Sequence, residues 1–188
     1  PSPARASPAP GKALSQELGP DRVLVVTLDI PGEKVNTLSR ALVGEFKALL
    51  DDLETRTDLL GVVLRSGKPD NFIAGADIRD FGLIRSQLEG ETLSREGQAL
   101  LDRLETAPVP IVAAIHGSAL GGGLETALAC HYRIATDDPR IIAAVDTPAG
   151  SEVDIVRLEH AIASDLAVLL GKVLDAAAQG ADPSQRVT

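Results

Sequence analysis

Two glycine-rich segments and one carboxylate hold most of the chemistry this sequence can offer. The first segment is Phe72-Ile73-Ala74-Gly75-Ala76-Asp77. The second is His116-Gly117-Ser118-Ala119-Leu120-Gly121-Gly122-Gly123-Leu124-Glu125. Each follows a predicted strand and leads into a predicted helix. Small residues let a ligand approach the backbone closely. Unpaired N–H groups at a helix start stabilise developing negative charge. Brought together, two such segments would form an oxyanion hole. Two tight turns that need glycine for their dihedrals account for the same residues, and both readings stand at this point. Glu125 falls in the first turn of an otherwise apolar helix, where a carboxylate could exchange a proton with water or substrate. Partial burial would raise its pKa and the helix N-terminus would lower it. Simple helix capping is the competing role.

Other chemistries lack their patterns. No Lys-Ser or Lys-Thr follows the glycines, so there is no Walker A loop, and the dinucleotide fingerprint fails on spacing. His116, His131 and His160 form no HExxH and no metal-ligand spacing. His116 and His131 abut apolar strands and read as packed or hydrogen-bonded. Cys130 reads as a buried thiol. Ser118 stands one position too early for a GxSxG nucleophile elbow. Asp77 reads as an early-turn residue balancing a helix dipole. Arg79 and Lys68 are candidates for a phosphate contact, with a surface role as the default. Asp51, Asp52 and Glu54 read as a solvated helix face.

The elements that must position these residues alternate between strand and helix. Val23 to Ile30 is a β-branched run closed by Pro31 and Gly32, hence a strand and a turn. Ser39 is a good N-cap for a helix over Ala41 to Leu53, with apolar residues at Leu42, Phe46, Leu49, Leu50 and Leu53. Gly61 to Leu64 is a strand, and Asp77 to Ile84 is a helix weakened by Gly82. Ser94 to Leu104 is a further helix, stopped by Pro108 and Pro110. Ile111 to Ile115 is a buried strand, Leu124 to Cys130 a short helix, and Tyr132 to Ala135 and Ile141 to Val145 brief strands. Glu152 to Ala178 is helical by composition, and Gly180 to Thr188 is a polar tail. This alternation predicts an α/β domain. Residues 1–20, rich in Pro, Ala and Ser, read as a flexible arm ahead of it.

The 188 residues suit one domain with an appendage. Hydrophobic residues make up 44%, enough for a core, but aromatics are 2%, so that core must be Leu, Val, Ile and Ala. A net charge of -9 argues against nucleic acid as partner. No apolar run is long enough for a membrane span. One Cys excludes an intrachain disulfide and fits a reducing compartment. The cytoplasm is the expected location, with mitochondria and peroxisomes left open. No Met occurs anywhere, which fits a processed or partial chain.

From Val23 to Arg140 the chain resembles the enoyl-CoA hydratase/isomerase, or crotonase, superfamily. Its flavour is that of the N-terminal part of multifunctional fatty-acid-oxidation enzymes. The resemblance rests on Val35-Asn36-Thr37-Leu38, the Phe72 to Asp77 segment and Ile111 to Ala135, in that order, with Ala119 to Glu125 the most specific piece. It implies a spiral of ββα units and an acyl-CoA thioester substrate, with no cofactor beyond the coenzyme A that the substrate carries. It implies that the backbone N–H groups of Ala76 and Gly122 hold the thioester oxygen, that Ala74 helps receive the adenine end, and that Asp77 organises the loop. Glu125 matches the first catalytic glutamate, activating water for addition across the 2,3 double bond. A homotrimer or a larger fatty-acid-oxidation assembly is implied as well.

The family's second glutamate, in a Pro-Glu segment, has no counterpart. Val145 stands at its ungapped position, Asp146 follows one place late, and Glu152 comes later still. The expectation is therefore a crotonase-like domain over 21–188, incomplete or altered after about residue 140. Asp146, or alternatively Glu152, becomes the candidate second acid. The alternatives are an isomerase using Glu125 as main base, and a non-catalytic acyl-CoA-binding or assembly module.

Overall fold

Two β-branched runs with no polar alternation call for strands covered on both faces. In the computed structural model, which describes residues 11–136, both are interior strands of one sheet. They are β2 (Val23–Leu28) and β3 (Gly61–Ser66). Between them runs α1 (Arg40–Thr55), started by Ser39, whose hydroxyl accepts from the Leu42 N–H at 3.3 Å. The helix buries Leu42, Phe46, Leu49, Leu50 and Leu53, the positions given by its apolar spacing. After β3 come β4 (Asn71–Ile73), α2 (Ile78–Phe81) and α3 (Gln87–Glu105). They are followed by β5 (Ile111–Ile115), β6 (Ser118–Ala119), α4 (Gly122–Ala129) and β7 (Tyr132–Ala135).

With β1 (Leu14–Leu18) the large sheet has the order β1-β2-β3-β5-β7. β1 is antiparallel to β2, and all other pairs are parallel. β4 and β6 pair in parallel as a separate two-stranded sheet. The chain therefore winds in ββα turns: β1, β2 and α1; then β3, β4, α2 and α3; then β5, β6 and α4. This is the α/β spiral that the sequence led us to expect.

Three expectations need correction. The flexible arm does not extend to residue 20, because β1 lies inside that stretch. Its residues are mostly polar, so composition hid it; the ladder to β2 and the Glu45 carboxylate, which accepts from the N–H groups of Ala13 and Leu14, hold it in place. α3 begins seven residues before the predicted Ser94. Its first turns carry little apolar periodicity, but Ser86 caps them by accepting from the Glu89 N–H. α2 is only Ile78–Phe81, ended at Gly82. Residues 1–10, the strand expected over 141–145, the helix over 152–178 and the tail from 180 lie outside the described residues.

α1 and α3 lie side by side in the same direction. Arg40 pairs with Glu89, Lys47 with Glu96, and Arg103 with Glu54 and Asp51, so the pairs recur every seven residues on both helices. Such exposed pairs add little stability and mainly set alignment. The stability comes from below them, where Leu100 and Leu104 join the α1 face in the core. Two of the three Phe residues, Phe46 and Phe72, are among the largest fully buried side chains. Phe46→Ala should cost about 3–5 kcal/mol, because a ring-sized cavity opens where the sheet cannot collapse. A lowered denaturant midpoint at unchanged slope would show it; an unchanged midpoint would place Phe46 outside the core.

Candidate functional site

The two glycine-rich segments are brought together by strand pairing. β4 carries the first and β6 the second, with Asn71 opposite Ser118 and Ile73 opposite Ala119. Just beyond the pairing, the Leu120 N–H donates to the Ile73 carbonyl at 3.0 Å. A Cβ built on Gly123 would collide with that same carbonyl, so only glycine lets α4 seat against β4. Gly75, at φ +98°, lies under the Leu120 carbonyl, which a Cβ would meet at 3.1 Å.

A buried amide network fixes this arrangement. Asn36 is fully buried. Its Nδ2 lies within hydrogen-bond distance of the Leu28 carbonyl, the Ser66 hydroxyl and the Phe72 carbonyl. Its Oδ1 accepts from the Ile30 N–H. Its own N–H donates to Asn71 Oδ1 at 2.7 Å, and Asn71 Nδ2 donates to the Ser118 carbonyl and hydroxyl. Neither Asn71 nor the role of Asn36 was legible beforehand; the available signal was an Asn standing directly before the buried Phe72.

Backbone accounting then narrows the available donors. In the first segment the Ala74 N–H goes to the Asn36 carbonyl, the Leu38 N–H to the Gly75 carbonyl, and the Asp77 N–H to the Leu38 carbonyl. The Ala76 N–H has no partner among the described residues, and Ala76 is exposed. In the second segment the Gly123 N–H goes to the Leu120 carbonyl, and those of Leu124 and Glu125 go to the Gly121 carbonyl. The N–H of Gly122, first residue of α4, likewise has no partner among them. Ala76 and Gly122, the positions singled out by resemblance, are thus among the donors left over in the two adjoining segments, together with the N–H groups of Gly75, Gly117 and Gly121, which also have no partner among the described residues. Ala74 has its N–H engaged, so a ligand could use only its carbonyl oxygen.

Glu125 is exposed in the first turn of α4. Its Oε2 lies 3.7 Å from where a Gly122 Cβ would sit. The carboxylate accepts no hydrogen bond from the described residues, and no side chain caps the helix at Gly121, so the capping role is not the one it plays. Leu38 also packs at Gly122, its Cδ1 2.9 Å from the same point. Asp77 is the opposite case. It caps α2, accepting from the Arg79 N–H, and its carboxylate takes the Arg79 guanidinium and the Thr37 hydroxyl. The Arg79 hydrogen bonds are the main reason its pKa is lowered to about 2. Asp80 does not share its duty: it accepts from the Arg40 N–H at the start of α1.

The remaining candidates are occupied elsewhere. Lys68 is spoken for by Asp29 and by the carbonyls of Ile30 and Glu33, and Arg79 by Asp77 and Glu33. His116 bonds the Lys68 carbonyl through Nε2. His131 Nδ1 accepts from the Ile111 N–H, and burial lowers its pKa. Cys130 is buried, donates to the Thr126 carbonyl, and has its thiol pushed up to about 12 by burial. No cluster of three or more metal-binding side chains occurs among the described residues, and no helix among them is long and apolar enough to cross a membrane. Asp146 and Glu152 lie outside the described residues.

Comparison with known proteins supplies the wider context. The family model described as Enoyl-CoA hydratase/isomerase matches residues 19–157, more than half of the chain. An enoyl-CoA hydratase from Bacillus anthracis is 28% identical with TM-score 0.62, covering 68% of this chain and 48% of that one. AtuE of Pseudomonas aeruginosa is 33% identical with TM-score 0.62, covering 68% and 49%. An enoyl-CoA hydratase of Mycobacterium smegmatis shares the fold at 20% identity, with TM-score 0.72 over 87% and 77%. The chain thus spans about half the length of the first two.

Two outcomes follow from the network and the ion pair. Asn36→Ala should destabilise the protein by more than about 2 kcal/mol, since it strands several buried groups at once; a loss no larger than that of an exposed Asn would remove the network from its central place. Asp77 has a folded pKa of about 2 against an ordinary 3.8. The unfolded chain therefore binds more protons between these values, and stability falls as pH drops through them. In acid unfolding, Asp77→Asn should flatten that part of the curve; an unchanged slope would mean that the Arg79 pair does not form.

Proposed function

The chain belongs to the enoyl-CoA hydratase/isomerase family, and on that premise we propose that its site adds water across the 2,3 double bond of an enoyl-CoA thioester. The observation that carries this reading is the coincidence of two unpaired N–H groups, on Ala76 and Gly122, with an uncommitted carboxylate beside one of them.

The chemistry follows from charge. Polarising the thioester carbonyl makes C3 electrophilic, and attack by water pushes negative charge onto the thioester oxygen. Donors already aimed at that oxygen stabilise the enolate without reorganising. Glu125 accepts a proton from the attacking water, so its carboxylate must be free rather than tied in an ion pair. A proton then returns to C2 of the enolate, for which Asp146 is the candidate donor. The Ala74 carbonyl accepts from the exocyclic amine of the adenine. Ile78 and Phe81, 80% and 59% exposed directly after the first donor segment, offer apolar surface to an acyl chain.

A second reading, double-bond isomerisation, has its own support. Of the two acidic residues in the glycine-rich segments, Asp77 is locked to Arg79 and only Glu125 is available. One carboxylate suffices to take a proton from C2 of a 3-enoyl-CoA and return it to C4.

Hydration of crotonyl-CoA and isomerisation of a 3-enoyl-CoA, assayed side by side, separate the two. Glu125→Gln should lower the rate by about 10²–10⁴-fold in whichever reaction occurs. Asp146→Asn should slow hydration alone. Turnover indifferent to Glu125→Gln would remove it as the base, and acyl-CoA binding without either reaction would make the chain a binding module.

A further inference from the structure

The buried guanidinium of Arg133 plays no part in the chemistry above. Arg133 lies in β7, opposite Ala113 of β5, and is 2% exposed. No carboxylate among the described residues pairs with it. Its Nη1 instead points at the C-terminal end of α4, donating to the carbonyls of Cys130 at 2.9 Å, Leu128 at 3.2 Å and Ala127 at 3.4 Å. Its Nε is buried without a partner. An ionised side chain sealed in without a counter-charge is costly. The negative end of a helix, with its unpaired carbonyls, offers the compensation.

α4 has eight residues, about 12 Å of helix. Its two ends therefore move as one body. The C-terminal end is tied to the sheet through Arg133, and the N-terminal end carries the Gly122 N–H and Glu125. Within the helix, the Thr126 hydroxyl donates to the Gly122 carbonyl at 2.7 Å and the Cys130 thiol to the Thr126 carbonyl, so a line of bonds joins the ends. The Gly123 seat on Ile73 leaves no slack at the start.

We infer that Arg133 is a positioning residue, clamping the C-terminal end of α4 to β7 so that the Gly122 N–H and the Glu125 carboxylate keep their places at the other end. Its effect on turnover rests on the reading of Gly122 and Glu125 given above; the clamp itself does not. A shift of the donor hurts the transition state more than the bound substrate, because the oxygen gains its full charge only there.

The test compares R133M and R133K in the full chain. It measures kcat and KM for crotonyl-CoA and hydrogen exchange at the amides of Gly123, Leu124 and Glu125. R133M should lower kcat about ten- to a hundredfold with KM within about threefold. It should raise exchange at those three amides at least about tenfold while β3 and β5 keep their protection. R133K, which retains the charge, should recover part of both. A folded R133M with unchanged kcat and unchanged exchange overturns the inference, as does a loss expressed in KM alone. If R133M does not fold, R133K decides: faster exchange confined to α4 supports the clamp, and none overturns it. Wild-type protein that turns over no enoyl-CoA, while R133M still loosens α4, would sink the functional reading and leave the clamp standing.

Discussion

The Asn36 side chain ties the C-terminal ends of β2 and β3 to β4, and its backbone N–H reaches β6 through Asn71. No other described group joins so many of the elements that meet at the site. A buried primary amide has four hydrogen-bonding positions, and leaving any empty is expensive at low dielectric. Moving β2, β3 or β4 would empty some of those of Asn36, and moving β6 would empty some of those of Asn71. The network therefore works as a register pin for the two glycine-rich segments, where strand pairing alone would be weak. β6 has two residues, and so short a ladder cannot hold an active geometry by itself.

Once the segments are pinned, the free donors follow from geometry. Almost every buried N–H must find an acceptor. Here the chain turns sharply twice, at Gly75 and at Gly121, both with positive φ. Each turn satisfies some of its neighbours and leaves the N–H groups of the glycine and of the residue after it without a partner among the described residues. Ala76 and Gly122 each follow the residue in the unusual conformation. That is why a site built from backbone needs glycine at one position and only a small side chain at the next.

Much of the frame was legible in the sequence, for reasons that also explain the gaps. β2, β3, α1 and β5 declared themselves because burial on one or both faces forces an apolar period. The glycine-rich segments declared themselves by composition, and their order made the family resemblance specific. β1 was hidden because an edge strand can be polar where its backbone does the binding. The early turns of α3 were hidden because interhelical ion pairs, such as Arg40 with Glu89, leave no hydrophobic trace. Asn71 and Arg133 were missed for a deeper reason. A polar residue is expected at the surface, and nothing local shows that the acceptors waiting for it come from strands and helix ends far away in sequence.

The two acids of the segments show how environment divides labour between residues of like chemistry. Asp77 lies at the end of the first segment with a guanidinium, a hydroxyl and a backbone N–H on its oxygens. Each of these favours the charged form, and together they make it a poor proton acceptor at any ordinary pH. Glu125 lies beside the second donor with no such partners. In the proposed reaction Glu125 would take a proton and later release it, and such a carboxylate gains nothing from being held ionised. The same reasoning applies to the helix that carries it. The positive end of α4 is left open, as the proposed binding of a thioester oxygen there requires, while its negative end is closed by Arg133. On the proposed reading, fixed positive charge is thereby placed where anionic character would develop, and the carboxylate that would exchange the proton remains outside that lock.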